Sequence, residues 1–361
     1  MKKRIGILTS GGDCAGLNAA IRAVYHHAAQ NYDYEVIGIL EGSTGLIARP
    51  MKYVVLDQDN CPESIIRVGG TKLGSTNKAD PFHYPCEDGT KKDRTDYLIK
   101  GYRELNLECL IVIGGDGSLK IMNDIAKIGD LNIVAIPKTI DNDLGTTELA
   151  IGYCTALDTA THALDCLDTT AESHRRIMIL EVMGRDAGHI ALGAGIAGAA
   201  DVILIPEIPY SLDGVLDRLN KVFATGRKHA LVIVAEAITK ENGENVAQEV
   251  TENGRLRYGG IGYYIADQIN EKTSYETRVT VLGHLQRGGV PNAIDRVIAS
   301  AFGVAAVDLV VNKKFGRMVC WVNRGVIDIP IEDAIGTYSR VHKNDVLIQT
   351  AKSLGIYIGQ L

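Results

Sequence analysis

The sequence predicts an α/β protein with mainly parallel sheets and two interwoven domains. Short apolar runs alternate with glycine-rich turns and helical stretches along most of the chain. This alternation is typical of parallel sheets, in which a helix connects each strand to the next. At 361 residues the chain is longer than one ordinary core requires and fits two domains. No Pro-rich or Ser-rich linker separates the halves, which favours domains that exchange segments.

Composition and charge disfavour several classes of function. The chain is 46% hydrophobic and 23% charged, with a net charge of −6, which argues against a nucleic-acid or anionic-membrane surface. No apolar run approaches the ~18 residues of a membrane span, and residues 5–10 are too short a run for a signal peptide. The seven cysteines are scattered and show no C-x-x-C spacing. We therefore expect a cytoplasmic protein with free thiols and without nucleic-acid or membrane partners.

The first element pair is a strand followed by a glycine turn and a helix. Arg4–Thr9 is a short apolar run, Gly11-Gly-Asp-Cys-Ala-Gly16 breaks it, and apolar spacing resumes at Ala19. Glycines allow close approach of the backbone to a ligand, and the amides that begin a helix favour an anion. Gly11 and Gly12 are therefore candidate phosphate contacts. A tight connection without a ligand uses the same residues.

The same plan recurs at residues 109–113, which lead into Gly114-Gly-Asp-Gly-Ser118 and a predicted helix at 119–128. Here a carboxylate stands inside the turn. Asp116 would repel a bare phosphate, so its position is best explained by a bridging divalent cation, and oxygen ligands favour Mg²⁺. The alternative is that Asp116 is a plain helix N-cap.

A third strand, at residues 132–136, ends in Pro137-Lys-Thr-Ile-Asp-Asn-Asp143. This turn offers a lysine, a hydroxyl and two carboxylates, which can divide proton transfer from charge organisation. A solvated Asn-Asp loop is the alternative. Because ligands bind beyond the carboxyl ends of strands in doubly wound sheets, we expect the three loops to meet at one edge.

The remaining chain continues the alternation. Residues 81–97 and 239–255 are polar and predict exposed segments. The other predicted strands are 34–40, 177–183, 202–205, 229–235, 277–282 and 317–322, and the other predicted helices are 148–167, 212–223, 260–271, 292–311 and 344–354.

Five loops in fixed order resemble those of the 6-phosphofructokinases, over the chain from Met1 to its last helix. They are Gly11-Gly-Asp13, Gly114-Gly-Asp-Gly-Ser118, Pro137-Lys-Thr-Ile-Asp-Asn-Asp143, Met183-Gly-Arg185 and Gly283-His-Leu-Gln-Arg-Gly-Gly289. The Gly-Gly-Asp-Gly turn also resembles NAD and lipid kinases, which lack the other loops. The resemblance implies interwoven three-layer α/β domains with the active site between them. Residues 1–152 and about 286–336 would bind nucleotide and magnesium, and residues 153–285 and about 337–361 would bind sugar phosphate.

The resemblance also implies a reaction: transfer of a phosphoryl group from ATP to O1 of fructose 6-phosphate, with Mg²⁺, in glycolysis. Asp141 would be the base, Thr139 and Asp143 would position the reactants, and Arg185 would stabilise the transferring group. Asp116 would hold the metal. The implied donor-site residues are Gly11, Gly12, Asn77, Lys78, Gly114, Gly115, Gly117, Ser118 and Lys138.

The implied sugar-phosphate site combines forked cations with groups that face the sugar ring. Its residues are Thr139, Asp141, Arg176, Met183, Gly184, Arg185, Glu236, Arg278, His284 and Arg287. Guanidinium groups suit a phosphate dianion. In the resembling enzymes Arg176 and Arg278 come from a neighbouring subunit, which implies a homo-oligomer, either a dimer or a tetramer. A packed core position is the alternative for His284, and a surface or capping role is the alternative for any one arginine.

Several positions depart from the family pattern. Gly117 is typical of ATP-dependent members and Lys138 of pyrophosphate-dependent ones, so we expect ATP, with pyrophosphate as the alternative donor. A catalytically silent regulatory subunit is a third possibility. Asn77 replaces an arginine, with Lys78 as its possible substitute. In the family's effector pocket three arginines are replaced, which makes control by an anionic effector doubtful; the replacements are His26, Asp168 and Thr225. Cys14 is either a reactive thiol or, as we expect, an inert buried one.

Overall fold

A computed structural model describes residues 2–76, 79–86, 88–250 and 256–360. Its strands, in chain order, are β1 (Arg4–Thr9), β2 (Glu35–Ile39), β3 (Tyr53–Val55), β4 (Tyr84–Pro85), β5 (Lys91–Lys92), β6 (Leu107–Gly114), β7 (Ile133–Pro137), β8 (Ile177–Val182), β9 (Val202–Leu204), β10 (Ala230–Ala235), β11 (Ala247–Val250), β12 (Leu256–Tyr258), β13 (Thr277–Val281), β14 (Arg317–Val322) and β15 (Gly325–Pro330). Its α-helices are α1 (Leu17–Tyr32), α2 (Thr44–Ile47), α3 (Thr95–Glu104), α4 (Asp116–Gly129), α5 (Tyr153–His174), α6 (His189–Ala197), α7 (Leu212–Ala224), α8 (Ile261–Lys272), α9 (Ala293–Val311), α10 (Ile331–Ile335) and α11 (Val346–Ser353). Short 3₁₀ helices span Glu63–Arg67, Pro81–His83 and Gly283–Arg287.

The chain divides into two units, each built from separate segments. Unit 1 comprises Met1–Ile140, Leu144–Thr155 and Arg287–Tyr338, and unit 2 comprises Asp141–Asp143, Ala156–Gln286 and Ser339–Leu361. The main changeovers therefore fall after residues 155, 286 and 338, against 152, about 285 and about 336 in the prediction from sequence. The assignment of a nucleotide to one unit and a sugar phosphate to the other stays a prediction.

Unit 1 contains a seven-stranded sheet in the order β15-β14-β7-β6-β1-β2-β3. Its central strands are parallel, whereas β3 and β15 are antiparallel at the edges. Leu110 and Val112 of β6 join a core cluster that includes residues of α3, α4 and α10. On the other side α9 packs against β7 and β14, and α1 packs along α9. Since both faces of the sheet are covered, its strands are continuous apolar runs, which is why they are legible in the sequence.

Unit 2 contains a four-stranded parallel sheet in the order β13-β8-β10-β9. Helix α6 packs against β9 and β10, and α8 packs against β8 and β13. Glu181 of β8 is only 2% exposed, and its carboxylate accepts hydrogen bonds from the amides of Gly260 and Gly262 at the start of α8, at 2.9 and 2.8 Å. A buried carboxylate is stable at this position because unpaired amides and the helix dipole both favour negative charge. The mainly parallel α/β architecture predicted from sequence is confirmed.

The bounds predicted for one helix were wrong. The helix predicted at 148–167 begins at Tyr153 and ends at His174. Its start is set by Asp295 of α9, which is fully buried and accepts hydrogen bonds from the amides of Gly152 and Thr155, at 2.9 and 2.7 Å. The prediction of an exposed segment at 239–255 is confirmed for residues 239–246, which are exposed or partly exposed, and the same segment contains strand β11, which pairs with β12. Residues 251–255 of that segment lie outside the described residues.

No helix in the described part of the chain is both long enough and apolar enough to cross a membrane.

Candidate active site

Three polar loops of unit 1 meet at one edge of its sheet, as the sequence predicts. Strands β7, β6 and β1 are adjacent and parallel, so their carboxyl ends lie side by side. A Cβ placed on Gly11 would lie 3.1 Å from Ser118 Oγ and 3.4 Å from Lys138 Nζ. The loops after β1, β6 and β7 are thus in direct contact, and a glycine, a hydroxyl and an ammonium group converge there.

The first two glycines of the loop after β1 have different surroundings. Gly11 has a φ of 82°, which favours glycine, and its N–H donates to the carbonyl oxygen of Thr76 at 3.0 Å. Gly12 lies against the end of a flexible side chain, since a Cβ there would lie 2.5 Å from Nη1 of Arg287. The same Nη1 donates to the carbonyl oxygen of Asp13 at 3.3 Å. Arg287, predicted as a sugar-phosphate residue, therefore lies against the first glycine loop.

Asp116 is the first residue of α4, and Gly115 occupies the N-cap position. The interpretation of Asp116 as a plain N-cap is therefore wrong. Its side chain is partly exposed, next to the amides that begin a 14-residue helix. Among the described residues no group of three His, Cys, Asp or Glu side chains is arranged to hold a metal. A metal at Asp116 stays a prediction.

Lys138 and Cys14 are buried below the first loop. Lys138 directly follows β7 and is 5% exposed, so its charge lies within the loop cluster and does not extend into solvent. Cys14 is fully buried, and its thiol donates to the carbonyl oxygen of Ile151 at 3.3 Å. Burial raises the pKa of Cys14 to about 12, and the nearby Lys138 ammonium only partly opposes this effect. The thiol is therefore inert at neutral pH, as expected.

The stretch that carries the predicted catalytic residues is buried. Thr139, Asp141 and Asp143 are 9%, 8% and 3% exposed. The alternative of a solvated Asn-Asp loop is therefore wrong. Burying two carboxylates costs free energy unless other groups compensate, so residues of this kind are usually retained for chemistry. In unit 2 the carbonyl oxygen of Asp143 accepts a hydrogen bond from the amide of Ser339, at 2.8 Å.

In unit 2, strand β8 ends in the turn Met183-Gly184-Arg185. Gly184 has a φ of 153° and Arg185 a φ of 52°, a conformation that is uncommon for a residue with a side chain. Glu236, just after β10, accepts a hydrogen bond from the amide of Arg185 at 3.1 Å. Burial raises the pKa of Glu236 to about 7, and the neighbouring carboxylates of Asp141 and Glu181 raise it further, whereas the amides of Arg185 and Gly184 lower it. Glu236 thus lies close to Asp141 and holds the turn.

The 3₁₀ helix Gly283–Arg287 follows strand β13, which is adjacent to β8. His284 is exposed, so the alternative of a packed core histidine is wrong. The next residue but one, Gln286, is almost fully buried, at 1% exposure. Gln286 is not among the residues predicted from the family motifs, and its position between a histidine and an arginine gives no sign of burial.

Arg176 and Arg278 lie together at the other end of the unit 2 sheet. Arg176 directly precedes β8. Arg278 is the second residue of the adjacent strand β13, where it pairs with Met178 of β8. Both guanidinium groups form ion pairs with Glu276, with 2.7 Å between Arg176 Nε and Glu276 Oε2. Both arginines and Met183 are attached to one sheet, but β8 has six residues between Arg176 and Met183, which is roughly 20 Å at ~3.3 Å per residue. Within one chain the structure therefore does not bring these arginines to the Met183–Arg185 turn.

Two arginines near positions of the effector pocket that the resemblance implies form ion pairs, each within its own unit. In unit 1, Arg22 forms an ion pair with Glu63. In unit 2, Arg227 Nη1 lies 2.9 Å from Asp201 Oδ1, and a cavity of about 410 Å³ nearby is lined in part by Asp168 and Arg227. Weak binding of an anionic effector stays a prediction. Asn77 and Lys78, predicted as donor contacts, lie outside the described residues.

Known proteins resemble this chain in sequence over most of its length. A family model described as phosphofructokinase matches residues 4–310. The ATP-dependent 6-phosphofructokinase 1 of Synechocystis sp. is 57% identical over 99% of this chain and 98% of its own length. The protein of the same name from Nostoc sp. is 54% identical over 99% of both chains.

Solved structures resemble the model over nearly its full length. Phosphofructokinase from Saccharomyces cerevisiae has a TM-score of 0.80 and 26% identity, with 98% of this chain covered; the match spans 46% of the yeast chain. A pyrophosphate-dependent phosphofructokinase from Marinobacter aquaeolei has a TM-score of 0.78 at 22% identity, over 99% of this chain and 89% of its own. The second likeness concerns the fold alone.

Proposed function

Because this chain belongs to the phosphofructokinase family, we propose that it transfers the terminal phosphoryl group of ATP to O1 of fructose 6-phosphate. The products are fructose 1,6-bisphosphate and ADP, a step of glycolysis that we assign to the cytoplasm. The observation that carries the proposal is the identity of 57% and 54%, over almost the whole chain, to proteins named as ATP-dependent enzymes of this kind. The buried carboxylates of the 138–143 stretch and the converging loops of unit 1 are what such a reaction requires.

The donor phosphates would bind at the loops of unit 1. Gly11 and Gly12 leave the backbone of the first loop open, and the first turn of α4 offers amides to an anion. The residues Gly114, Gly115, Gly117 and Ser118 complete this surface without a further acidic side chain. Asp116 would hold Mg²⁺, which neutralises charge on the phosphates when it is bound. The partly exposed single carboxylate fits a metal that is held largely by phosphate oxygens.

Asp141 would take the proton from the C1 hydroxyl. As O1 forms its bond to the terminal phosphorus of ATP, the bond from that phosphorus to the leaving oxygen of ADP breaks, and the hydroxyl proton passes to the Asp141 carboxylate. Thr139 and Asp143 would orient the reactants, and the Arg185 guanidinium would offset charge that develops on the transferring group. Met183 and Glu236 would contact the sugar ring.

Pyrophosphate is the second candidate donor, and one observation favours it. Lys138 lies within the loop cluster, beside Gly11, where its ammonium would attract a compact phosphate group. Gly117 supports ATP, since it adds neither bulk nor charge at the second position that separates the two classes. The relatives above 50% identity carry the name of the ATP-dependent enzyme, so we retain ATP as the proposed donor.

We also propose a homo-oligomer, a dimer or a tetramer, whose subunits share sites. If Arg176 and Arg278 bind the sugar phosphate, they must do so in a second copy, because they lie at the opposite end of the sheet from Met183. The outer face of α9 supports association, since Ile294 and Val297 are 52% and 62% exposed. A helix with apolar side chains on all faces is normally covered.

The test is a comparison of the wild type with Asp141→Asn. We expect formation of fructose 1,6-bisphosphate from ATP and Mg²⁺ by the wild type, and a loss of about a hundredfold or more in kcat for the variant, typical for removal of a general base. Sugar-phosphate binding, measured by calorimetry, should change little. A wild type that binds fructose 6-phosphate but transfers phosphate from neither ATP nor pyrophosphate would contradict the proposal and favour a silent regulatory subunit.

A further inference from the structure

Gln286 makes a single hydrogen bond to protein in the described part of the chain, and that bond goes to a main-chain amide of the proposed site. Its Oε1 accepts from the amide of Met183 at 2.8 Å. A peptide N–H can only donate, so the carbonyl oxygen of the side chain must face Met183. Its Nε2 is buried and donates to no atom of the described residues. The buried side-chain amide therefore makes its one hydrogen bond to the main chain of Met183 and holds that main chain in place.

Consecutive amides of the turn after β8 are held from both neighbouring strands. Gln286, beyond β13, binds the amide of Met183, whereas Glu236, beyond β10, binds those of Gly184 and Arg185. The sheet order β13-β8-β10 explains this bracketing, because the turn follows the central strand of the three. The left-handed φ of Arg185 is sparsely populated for residues with a side chain and persists only where surrounding groups impose it.

We propose that Gln286 is a positioning residue for phosphoryl transfer. By fixing the amide of Met183, it sets the path of the main chain from which Met183 faces the sugar and Arg185 faces the transferring group. The inference rests on the proposed function, since it assumes that this turn binds fructose 6-phosphate. Gln286 would affect the binding of fructose 6-phosphate and the turnover rate without contacting the reacting atoms.

Gln286→Met tests the assignment, because Met has a similar length but cannot accept the hydrogen bond. We expect kcat/KM for fructose 6-phosphate to fall about tenfold or more, since an amide loses its partner and the turn that it anchors can shift. The KM for ATP should stay within twofold of the wild type. Gln286→Glu keeps an acceptor oxygen for the Met183 amide at the same place, in either protonation state of the carboxyl, and should recover most of the loss.

Asn132→Leu is the matched control. Asn132 is also an amide residue with one bond to a main chain, from Nδ2 to the carbonyl oxygen of Glu108 at 2.9 Å, but it precedes strand β7, whose opposite end leads into the 138–143 stretch. Its loss should lower the melting temperature without changing either KM by more than twofold. Equal kinetic losses in Asn132→Leu and Gln286→Met would overturn the inference, as would a Gln286→Met enzyme within twofold of the wild type or a Gln286→Glu enzyme no better than Gln286→Met.

Calorimetric binding of fructose 6-phosphate without nucleotide separates this inference from the proposed function. We expect Gln286→Met to weaken binding severalfold relative to the wild type. This readout does not depend on the donor, so a wild type inactive with ATP would contradict the proposed function and leave the comparison between the two proteins valid. Equal binding by both proteins would remove Gln286 from the sugar site.

Discussion

Glu236 should make the folded protein less stable as the pH rises from about 4.5 to about 7, and Glu236→Gln should remove this effect. Burial raises its pKa from 4.5 to about 7. The folded state therefore holds the proton more tightly than the unfolded chain, so the stabilising contribution is complete below pH 4.5 and is lost as the pH rises to about 7. A pKa difference of roughly 2.5 at about 1.4 kcal/mol per unit gives an upper limit of about 3.5 kcal/mol.

The assay is urea unfolding at several pH values between 5 and 8. We expect the free energy of unfolding of the wild type to fall over this range by on the order of 1–3 kcal/mol more than that of Glu236→Gln. At pH 8 the variant should be the more stable protein, because the Gln oxygen can still accept from the Arg185 amide without carrying a charge. Its kcat/KM for fructose 6-phosphate should nevertheless fall, because Glu236 is proposed to contact the sugar ring. Active-site residues are often retained for function although they reduce stability.

Glu207→Gln is the control for this experiment. Glu207 is also a unit 2 carboxylate that accepts from two amides, those of Gly188 and Val341, at 3.0 and 2.9 Å. Because Glu236 remains in that variant, its contribution to the pH dependence should remain too. Parallel pH profiles for the wild type and Glu236→Gln would refute the reasoning, since they would show that Glu236 has the same pKa in the folded and unfolded states.

Two further predictions concern the donor and the shared site. Lys138→Gly removes the ammonium beside Gly11 and should raise the KM for ATP about three- to tenfold, because a charge-assisted contact to phosphate is lost. A lower KM for ATP in steady-state assays would show instead that Lys138 crowds the nucleotide. Asp141→Asn and Arg278→Gln should each be nearly inactive alone, yet unfolding and refolding the two together should restore activity, because hybrid oligomers contain sites with both native residues. No gain in the mixture, with hybrids verified by native mass spectrometry, would contradict sharing of the site.

Sequence patterns predicted the sheet strands well because these strands are buried on both faces. Strand β6, for example, is almost entirely apolar and ends in a glycine turn. Helix α6 was missed because its sequence, HIALGAGIA, is apolar and rich in glycine, without the polar face that marks a surface helix. The start of α5 was misplaced because it depends on Asp295, which lies 140 residues away from Thr155 in the sequence.

Some features of the candidate site could be predicted from local sequence patterns, whereas others depend on residues that are far apart in the sequence. Gly11, Ser118 and Lys138 lie in loops that follow apolar strands, so their convergence in unit 1 follows from parallel topology. The contact between Gln286 and the amide of Met183 could not be predicted, because it joins residues 103 positions apart. The raised pKa of Glu236 likewise depends on burial, which no local pattern encodes.

The separation of Arg176 from Met183 illustrates a different limit. The family resemblance implies that both residues belong to the sugar-phosphate site, and they are close in sequence. Only the strand between them reveals that they lie at opposite ends of one sheet. The sequence predicts the members of a site, whereas the structure shows that Arg176 and Met183 do not come together within one chain.

The central claim is that this chain phosphorylates fructose 6-phosphate with ATP. The most direct measurement is the rate of fructose 1,6-bisphosphate formation with Mg²⁺ and either ATP or pyrophosphate, in parallel reactions with the same enzyme. We predict turnover with ATP and, at most, a small fraction of that rate with pyrophosphate. Turnover with pyrophosphate alone would contradict this prediction.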